Sequence, residues 1–328
     1  MPQTPTHSTA QLVIRAATPT DVPTVLGLIR ALAEYEKLLH EVTGSEAALA
    51  ADLFGDRPFC EALIAEYGGE SVGFALFFSH YDTATAQPGL YLEDLFVLPT
   101  CRGLGVGKAL LRHLGQQAIE RGLGQLVWSV LDWNEPAIAF YRRMGADIFA
   151  DTRVCRAVGD SLVALAARSS AHVRPARPGD WPAIAALAQA EGIWPQDSAP
   201  ASTAMRAQAH LSGDRPHAQM IVSERDGQID GMAIWFHNYS TFLTKPGLYL
   251  DRVLTGAGFP EASHQTRQAL FAYAAQQALA LGCGRLESLV SRDDQEAIAH
   301  YQQLGMAVMS DWRICQVTGA ALSRLAEA

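Results

Sequence analysis

Arg102-Gly103-Leu104-Gly105-Val106-Gly107-Lys108 places three glycines in five positions between two cations. Glycines let a ligand approach the backbone, and amides exposed at the start of a following helix aim their N–H dipoles at an anion. With Arg102 and Lys108 adding positive charge, the loop is expected to cradle a pyrophosphate. Two other phosphate loops do not fit. The dinucleotide pattern G-x-G-x-x-G needs its third glycine one residue later and an opening β-α-β unit. The nucleotide-triphosphatase loop needs Ser or Thr where Ala109 stands and glycine at 102. The histidines, among them His40, His80, His113, His210 and His237, show no ligand spacing, so no metal is expected.

A loop of this kind must be held between a strand and a helix. Leu90 to Val97 reads as the strand, and Leu110, Leu111, Leu114 and Ala118 form the buried stripe of the helix. Upstream, Thr18-Pro19-Thr20-Asp21 carries the signature of a helix start, and Val22, Val25, Leu26, Ile29 and Leu32 follow at helical spacing. Tyr35-Glu36-Lys37 then falls near that helix's end. Ala62 to Glu66 and Val72 to Ser79, joined by Gly68-Gly69, predict a hairpin. Leu126 to Val130 predicts a short strand, and Asn134 to Met144 a helix that Gly145 ends. These elements make an α+β domain with an antiparallel front half.

The same elements occur twice. Pro88-Gly89-Leu90-Tyr91-Leu92-Glu93 recurs as Pro246-Gly247-Leu248-Tyr249-Leu250-Asp251, and in that frame Arg57-Pro58, Gly73, Phe78 and Tyr81 match Arg215-Pro216, Gly231, Phe236 and Tyr239. After a two-residue insertion, Ala137-Ile138-Ala139, Tyr141, Gly145, Arg153 and Cys155 match Ala297-Ile298-Ala299, Tyr301, Gly305, Arg313 and Cys315. The matched order never breaks, so the chain is a tandem duplication, expected to divide into domains 11–168 and 173–328 around a linker at 169–172. Its 328 residues and 49% hydrophobic content suit two cores and exclude bulk disorder.

A net charge of -9 argues against nucleic acid or anionic membrane as partner and favours a cationic small molecule. Five scattered cysteines with no C-x-x-C pair suggest reduced thiols in a cytoplasmic protein. Neither an export signal nor an apolar run long enough to span a membrane is visible.

From about Leu12 to Ala166 the chain resembles the GNAT acetyltransferase superfamily, whose acetyl-coenzyme A loop reads R-x-x-G-x-G. Tyr91-Leu92-Glu93-Asp94-Leu95-Phe96-Val97, the glycine loop and Trp133-Asn134-Glu135-Pro136, ending in Phe140-Tyr141, look like its spermidine/spermine and thialysine acetyltransferase branch. The resemblance implies two GNAT-like domains, each a mixed, mostly antiparallel sheet flanked by helices, and acetyl-coenzyme A as acetyl donor. The coenzyme contacts it implies are Leu95, Phe96 and Val97 at the carbonyl, Arg102, Gly103, Leu104, Gly105, Val106, Gly107 and Lys108 at the phosphates, and Asn134 and Pro136.

An aliphatic ammonium with a pKa near ~10 must lose a proton before it attacks a thioester, and Glu93, set among Leu92, Leu95 and Phe96, is expected to act as the base. The resemblance makes Tyr141 the acid toward the departing thiolate and puts Tyr35, Glu36, Asp82 and Asp94 along the acceptor wall. The turn Thr83-Ala84-Thr85-Ala86-Gln87 departs from the family pattern.

In the second copy Ala262, Ser263, Gln265 and Arg267 replace the residues at Arg102, Gly103, Gly105 and Gly107, and Asp294 and Glu296 replace Asn134 and Pro136. Side chains thus occupy positions where backbone must meet phosphate, so this copy is expected to be silent although Tyr301 and Asp251 persist. Family members commonly work as two-fold dimers, which implies a chain that is its own intramolecular pseudo-dimer, compatible with a monomer. The expected activity is acetyl transfer to a small primary amine such as a polyamine, a diamine or an amino-acid-like amine. A non-catalytic acyl-coenzyme A sensor and an acetyltransferase of protein amino groups are the alternatives.

Overall fold

A computed structural model describes residues 11–195, 202–213, 216–256 and 263–327. The first repeat runs β1 (Leu12–Ala16), α1 (Val22–Tyr35), α2 (Glu46–Phe54), β2 (Glu61–Tyr67), β3 (Glu70–Asp82), β4 (Gln87–Val97), α3 (Val106–Glu120), β5 (Gln125–Leu131), α4 (Glu135–Arg143), β6 (Asp147–Phe149), β7 (Thr152–Val158) and α5 (Gly159–Ala166). The second runs β8 (Val173–Pro175), α6 (Trp181–Ala190), α7 (Thr203–Leu211), β9 (Gln219–Arg225), β10 (Gln228–Ser240), β11 (Lys245–Thr255), α8 (Ser263–Ala280), β12 (Arg285–Ser291), α9 (Gln295–Gln303), β13 (Ala307–Met309), β14 (Trp312–Thr318) and α10 (Gly319–Glu327).

Local sequence accounts for much of this. The Asp21 carboxylate accepts from the Thr18 amide at 2.7 Å, closing the helix start, and Val22, Val25, Leu26, Ile29 and Leu32 all face the core. Gly68 and Gly69 take left-handed backbone, and β2 and β3 form the expected hairpin around them. The Leu110, Leu111, Leu114 and Ala118 stripe is fully buried under the first sheet. The strand β1 and the helix α2 are additional to the elements read from pattern, being short pieces with weak periodicity.

The chain builds two seven-stranded mixed sheets flanked by helices, the architecture of two tandem GNAT domains. Their strand orders are β1-β2-β3-β4-β5-β14-β6 and β13-β7-β12-β11-β10-β9-β8. Each therefore contains a strand from the other repeat. Strand β14 pairs antiparallel with β5 from Trp312↔Leu131 to Thr318↔Gln125, while β7 pairs with β12 from Thr152↔Ser291 to Val158↔Arg285. The helix after each strand follows it: Leu322 and Leu325 of α10 enter the first core, and Leu162 and Leu165 of α5 enter the second. Burying each of these leucines stabilises the association by about 1.5–3 kcal/mol.

The boundary expected at 168–173 thus separates the repeats in sequence but not the packed units in space. A unit cut there would carry off the β7 and α5 that complete the second sheet and leave a first sheet without β14. Periodicity reports that a strand is half-buried, not which sheet it joins, so the exchange was invisible to pattern.

A second reciprocity lies in the hairpin tips. The turn after β3 packs with Tyr81 and Ala86 among Trp194, which follows α6, and Ala207 and Leu211 of α7, and the turn after β10 packs toward α1 and α2 with Tyr239 and Phe242. The Thr43 and Gly44 amides both donate to the Phe242 carbonyl at 2.9 Å.

Candidate active site

In the first sheet β4 and β5 run parallel for three rungs, Leu90↔Leu126, Tyr91↔Val127 and Leu92↔Trp128, and then separate. At the point of separation the pairing of β4 with β3 slips: Leu76 faces Asp94 and Phe77 faces Leu92, so Glu93 is the extra residue of a β-bulge. A bulge bends its strand and re-aims a side chain. Here it turns the Glu93 carboxylate into the wedge and leaves the edge of Glu93–Val97 that faces β5 without a strand partner. A cavity of about 1210 Å³ fills the wedge.

The glycine loop forms one wall. Gly103 and Gly105 both hold φ +82°, a conformation that side-chain-bearing residues rarely adopt, and a Cβ at either would meet nothing within 4 Å. Both glycines therefore border open space, with the amides of the first turn of α3 beside them. Arg102, Gly103, Gly105, Val106, Gly107 and Lys108 line the cavity, as do Leu95, Phe96, Val97, Asn134 and Pro136. Leu104, expected among the coenzyme contacts, is 47% exposed and does not line the cavity. Arg102 folds over the Tyr35 ring at 4.6 Å, with its Nε donating to the Val97 carbonyl at 3.2 Å. The Asn134 Oδ1 caps α4 through the Ala137 amide at 3.3 Å and also accepts from the Tyr35 hydroxyl at 3.1 Å. These features fit the pyrophosphate-bearing arm of a coenzyme A thioester: a bare backbone cradle, a helix start and two cations.

Opposite the loop, Glu36, Glu93 and Asp94 line the same cavity. Burial, reinforced by the Glu93 charge, pushes Glu36 up to about 7. Glu93 is raised by burial against the opposing pull of Arg285. Asp94 is raised well above the carboxylate range by burial and by its two acidic neighbours; its Oδ2 has no partner among the described residues. Carboxylates crowded in this way favour a cation between them. Tyr141 sits on the inner face of α4, its ring edge-on to Trp128 with centroids 4.9 Å apart, and burial raises its phenol far above the ordinary value. Asp82 belongs elsewhere. Its carboxylate accepts from the Ala84 amide at 2.8 Å and the Thr85 hydroxyl at 2.9 Å, holding the β3–β4 turn outside the cavity. It was expected on the acceptor wall; an acidic residue opening a tight turn is drawn to the turn's own amides.

The other half of the acceptor wall comes from the second repeat. Ser240, Thr241, Phe242 and Leu243 of the β10–β11 tip line the cavity beside Asp94, and Arg285 of β12 reaches Glu93 at 3.0 Å. Arg156 and Glu287 line it as well. The motifs do not point to these residues. The one available signal was Arg285 and Glu287, two charges at i and i+2 on one face of a strand whose other residues are Leu, Val and Ser.

Residues 29–146 match the model of the Acetyltransferase (GNAT) family. The L-ornithine N5-acetyltransferase NATA1 of Arabidopsis thaliana is 34% identical over 197 residues, spanning 46% of this chain and 86% of that protein. The chain belongs to the GNAT acetyltransferase family. Within it, the thialysine N-epsilon-acetyltransferase of Mus musculus is 41% identical over 141 residues, 40% of this chain and 82% of that one. In fold, this GNAT chain is similar over 94% of its length to a tandem GNAT protein from the clavulanic acid biosynthesis pathway, covering 98% of that chain at 15% identity and a TM-score of 0.51.

The GNAT wedge of the second repeat keeps the backbone and loses the cradle. Strands β11 and β12 also pair for three rungs before parting, and Asp251 occupies the matching bulge. The loop position of Ala262 lies outside the described residues. From Ser263 the chain is already helical, so Ser263, Gln265 and Arg267 project side chains where the first repeat has loop and bare backbone. His264 and His300 bring ring nitrogens within 3.4 Å, and Glu296 lies 3.4 Å from His264. Asp294 caps α9 through the Ala297 amide at 2.9 Å. The Asp251 Oδ2 accepts from the Thr83 amide at 2.9 Å, and the Thr83 carbonyl accepts from the Trp194 indole at 2.7 Å. The unusual turn Thr83 to Ala86 therefore occupies the acceptor side of this wedge. No described helix is long and apolar enough to cross a membrane, and no described group of three or more potential ligands is arranged for a metal.

Proposed function

We propose that the protein transfers the acetyl group of acetyl-coenzyme A to a small primary amine at one site, the wedge of the first repeat. The observation that carries this reading is the convergence of an open glycine loop and three acids, Asp94 buried and Glu36 and Glu93 half-buried, on one cavity. Gly103 to Lys108 and the free edge of Leu95–Val97 would hold the coenzyme, which supplies an acetyl carbonyl activated as a thioester. Amides at that strand end face the place where negative charge develops on the carbonyl oxygen. Glu93 takes the ammonium proton, directly or through a water, which its raised pKa favours. Tyr141 holds a proton at its phenol for the sulfur; burial raises its pKa, so it acts as a hydrogen-bond donor to the departing thiolate, and the low-dielectric surroundings strengthen that bond. Glu36 and Asp94 attract the cation, and the Phe242–Leu243 tip helps exclude water.

Relatives named for ornithine and thialysine support amines of that size and charge as acceptors. The second repeat is proposed to be silent as an enzyme, because its wedge is filled from both sides. The test is amine-dependent thiol release with acetyl-coenzyme A over diamines, polyamines, diamino acids and aminoglycosides. Steady turnover with at least one amine is expected, together with a fall in kcat of about 100-fold or more for Glu93→Gln. Thiol release that ignores the amine, or full turnover in Glu93→Gln, would overturn the reading.

A further inference from the structure

Across the repeat interface the Glu93 carboxylate meets one end of a buried chain of alternating charge. Arg285 Nη2 donates to Glu93 Oε1 at 3.0 Å and to the Tyr239 carbonyl at 2.5 Å. Arg285 Nε lies 3.2 Å from Glu287 Oε2, and Glu287 Oε1 accepts from Arg156 Nε at 2.5 Å. Asn238 Nδ2 completes the Glu287 shell at 2.5 Å. Arg285 and Glu287 are almost inaccessible, each with 7% of its side chain exposed. The corresponding positions in the other half hold Gln125, Val127, Gln316 and His80, and there Gln316 merely donates to Gln125 at 2.6 Å. The charged chain is thus built on one side only, the side that serves the open cavity.

We propose that Arg285, supplied by the second repeat, is the positioning residue for the Glu93 base of the first: it fixes one carboxylate oxygen, leaves the other to the acceptor amine, and keeps the pair ionised. The inference rests on the reaction proposed above and adds to it a role for the silent repeat beyond packing. Geometry requires such a residue, because an isolated glutamate on a bulge can swing its carboxylate, whereas the guanidinium is pinned by the Tyr239 carbonyl and Glu287.

Charge requires it too. Facing Glu93 are Glu36 from α1, Tyr91 and Asp94 from its own strand, Cys60 before β2 and Tyr239 from β10, all neutral or negative. On the far side Glu287 adds a negative charge, and Arg285 and Arg156 are the cations whose pull opposes burial. Of the two, Arg285 is the one in contact. Without it the carboxylate would bind its proton more tightly and be unable to accept one from the amine until higher pH.

The test is the pH profile of kcat/KM for the full chain and three variants. Arg285→Gln introduces the residue of the corresponding position. Arg285→Lys keeps the charge. The double variant Arg285→Gln with Glu287→Gln leaves no orphaned carboxylate in the interface, so a folded protein is retained if the single change unfolds it. Expected are an acid limb displaced upward by about one pH unit or more in Arg285→Gln and upward by less in the double variant, which also loses the Glu287 charge that raises Glu93, a loss of ~10-fold or more in kcat at pH 7 for Arg285→Gln, an unchanged KM for acetyl-coenzyme A, and a limb near the parent position in Arg285→Lys. Gln-bearing variants whose limb coincides with the parent's, or a Lys variant as impaired as Gln, overturn the inference. A parent that releases no thiol on addition of any amine removes the proposed reaction and this role with it. A parent limb that depends on Glu93 but not on Arg285 removes only the role.

Discussion

The two wedges share a backbone and differ in what fills it. Each has three parallel rungs, a bulged acid and a tyrosine on the following helix. In the first, Gly103 and Gly105 leave the loop bare, Tyr141 leans on Trp128, and Glu93 faces a cavity. In the second, the helix begins at Ser263, Tyr301 packs edge-on against Phe271, and Asp251 is taken up by the Thr83 amide. The lesson is that a wedge and its polar residues can outlive a ligand site, because the wedge is a property of sheet pairing whereas the site depends on empty space and unspent hydrogen bonds.

The comparison can be broken most severely at the loop. Gly105→Val puts a β-branched side chain at φ +82°, and the KM for acetyl-coenzyme A is expected to rise about 100-fold or more, against less than about 2-fold for Gln265→Val on the helix of the other repeat. Equal effects in steady-state kinetics would show that the second loop also binds the coenzyme. At the tyrosines the contrast is smaller. Tyr141→Phe should lower kcat by about 10- to 100-fold with little change in coenzyme affinity, whereas Tyr301→Phe should leave kcat unaltered and cost about 1 kcal/mol of stability in denaturant unfolding. Equal turnover in Tyr141→Phe and parent would refute the acid role.

The smallest effect is expected at the linker. A protease site inserted between Ala171 and His172, then cleaved, should leave two fragments that co-elute and retain most of the activity. Strands β7 and β14 would still hold each fragment in the other's sheet. Separation of the fragments on a sizing column would contradict the exchange.

The glycine loop was legible as sequence from its spacing between a strand and a helix, and Glu93 from its apolar strand neighbours, whereas Asp94, Asn134 and Tyr141 were expectations that the family resemblance carried. Glu36 was legible from the end of a well-marked helix. Asp82 was set on the acceptor wall by resemblance, which cannot tell a carboxylate turned to its own loop from one turned to a cavity. Arg285 and Thr241 escaped because they enter from a repeat whose motifs read as degenerate.

The amino-acid sequence alone determined the duplication, the strongly periodic elements around the glycine loop and the loop itself, since these rest on local spacing, handedness and the conformations that side chains permit. Which sheet receives β7 and β14, and which hairpin closes which wedge, was decided by tertiary structure. Those choices turn on burial and charge between residues as far apart as Glu93 and Arg285, and no local rule relates them.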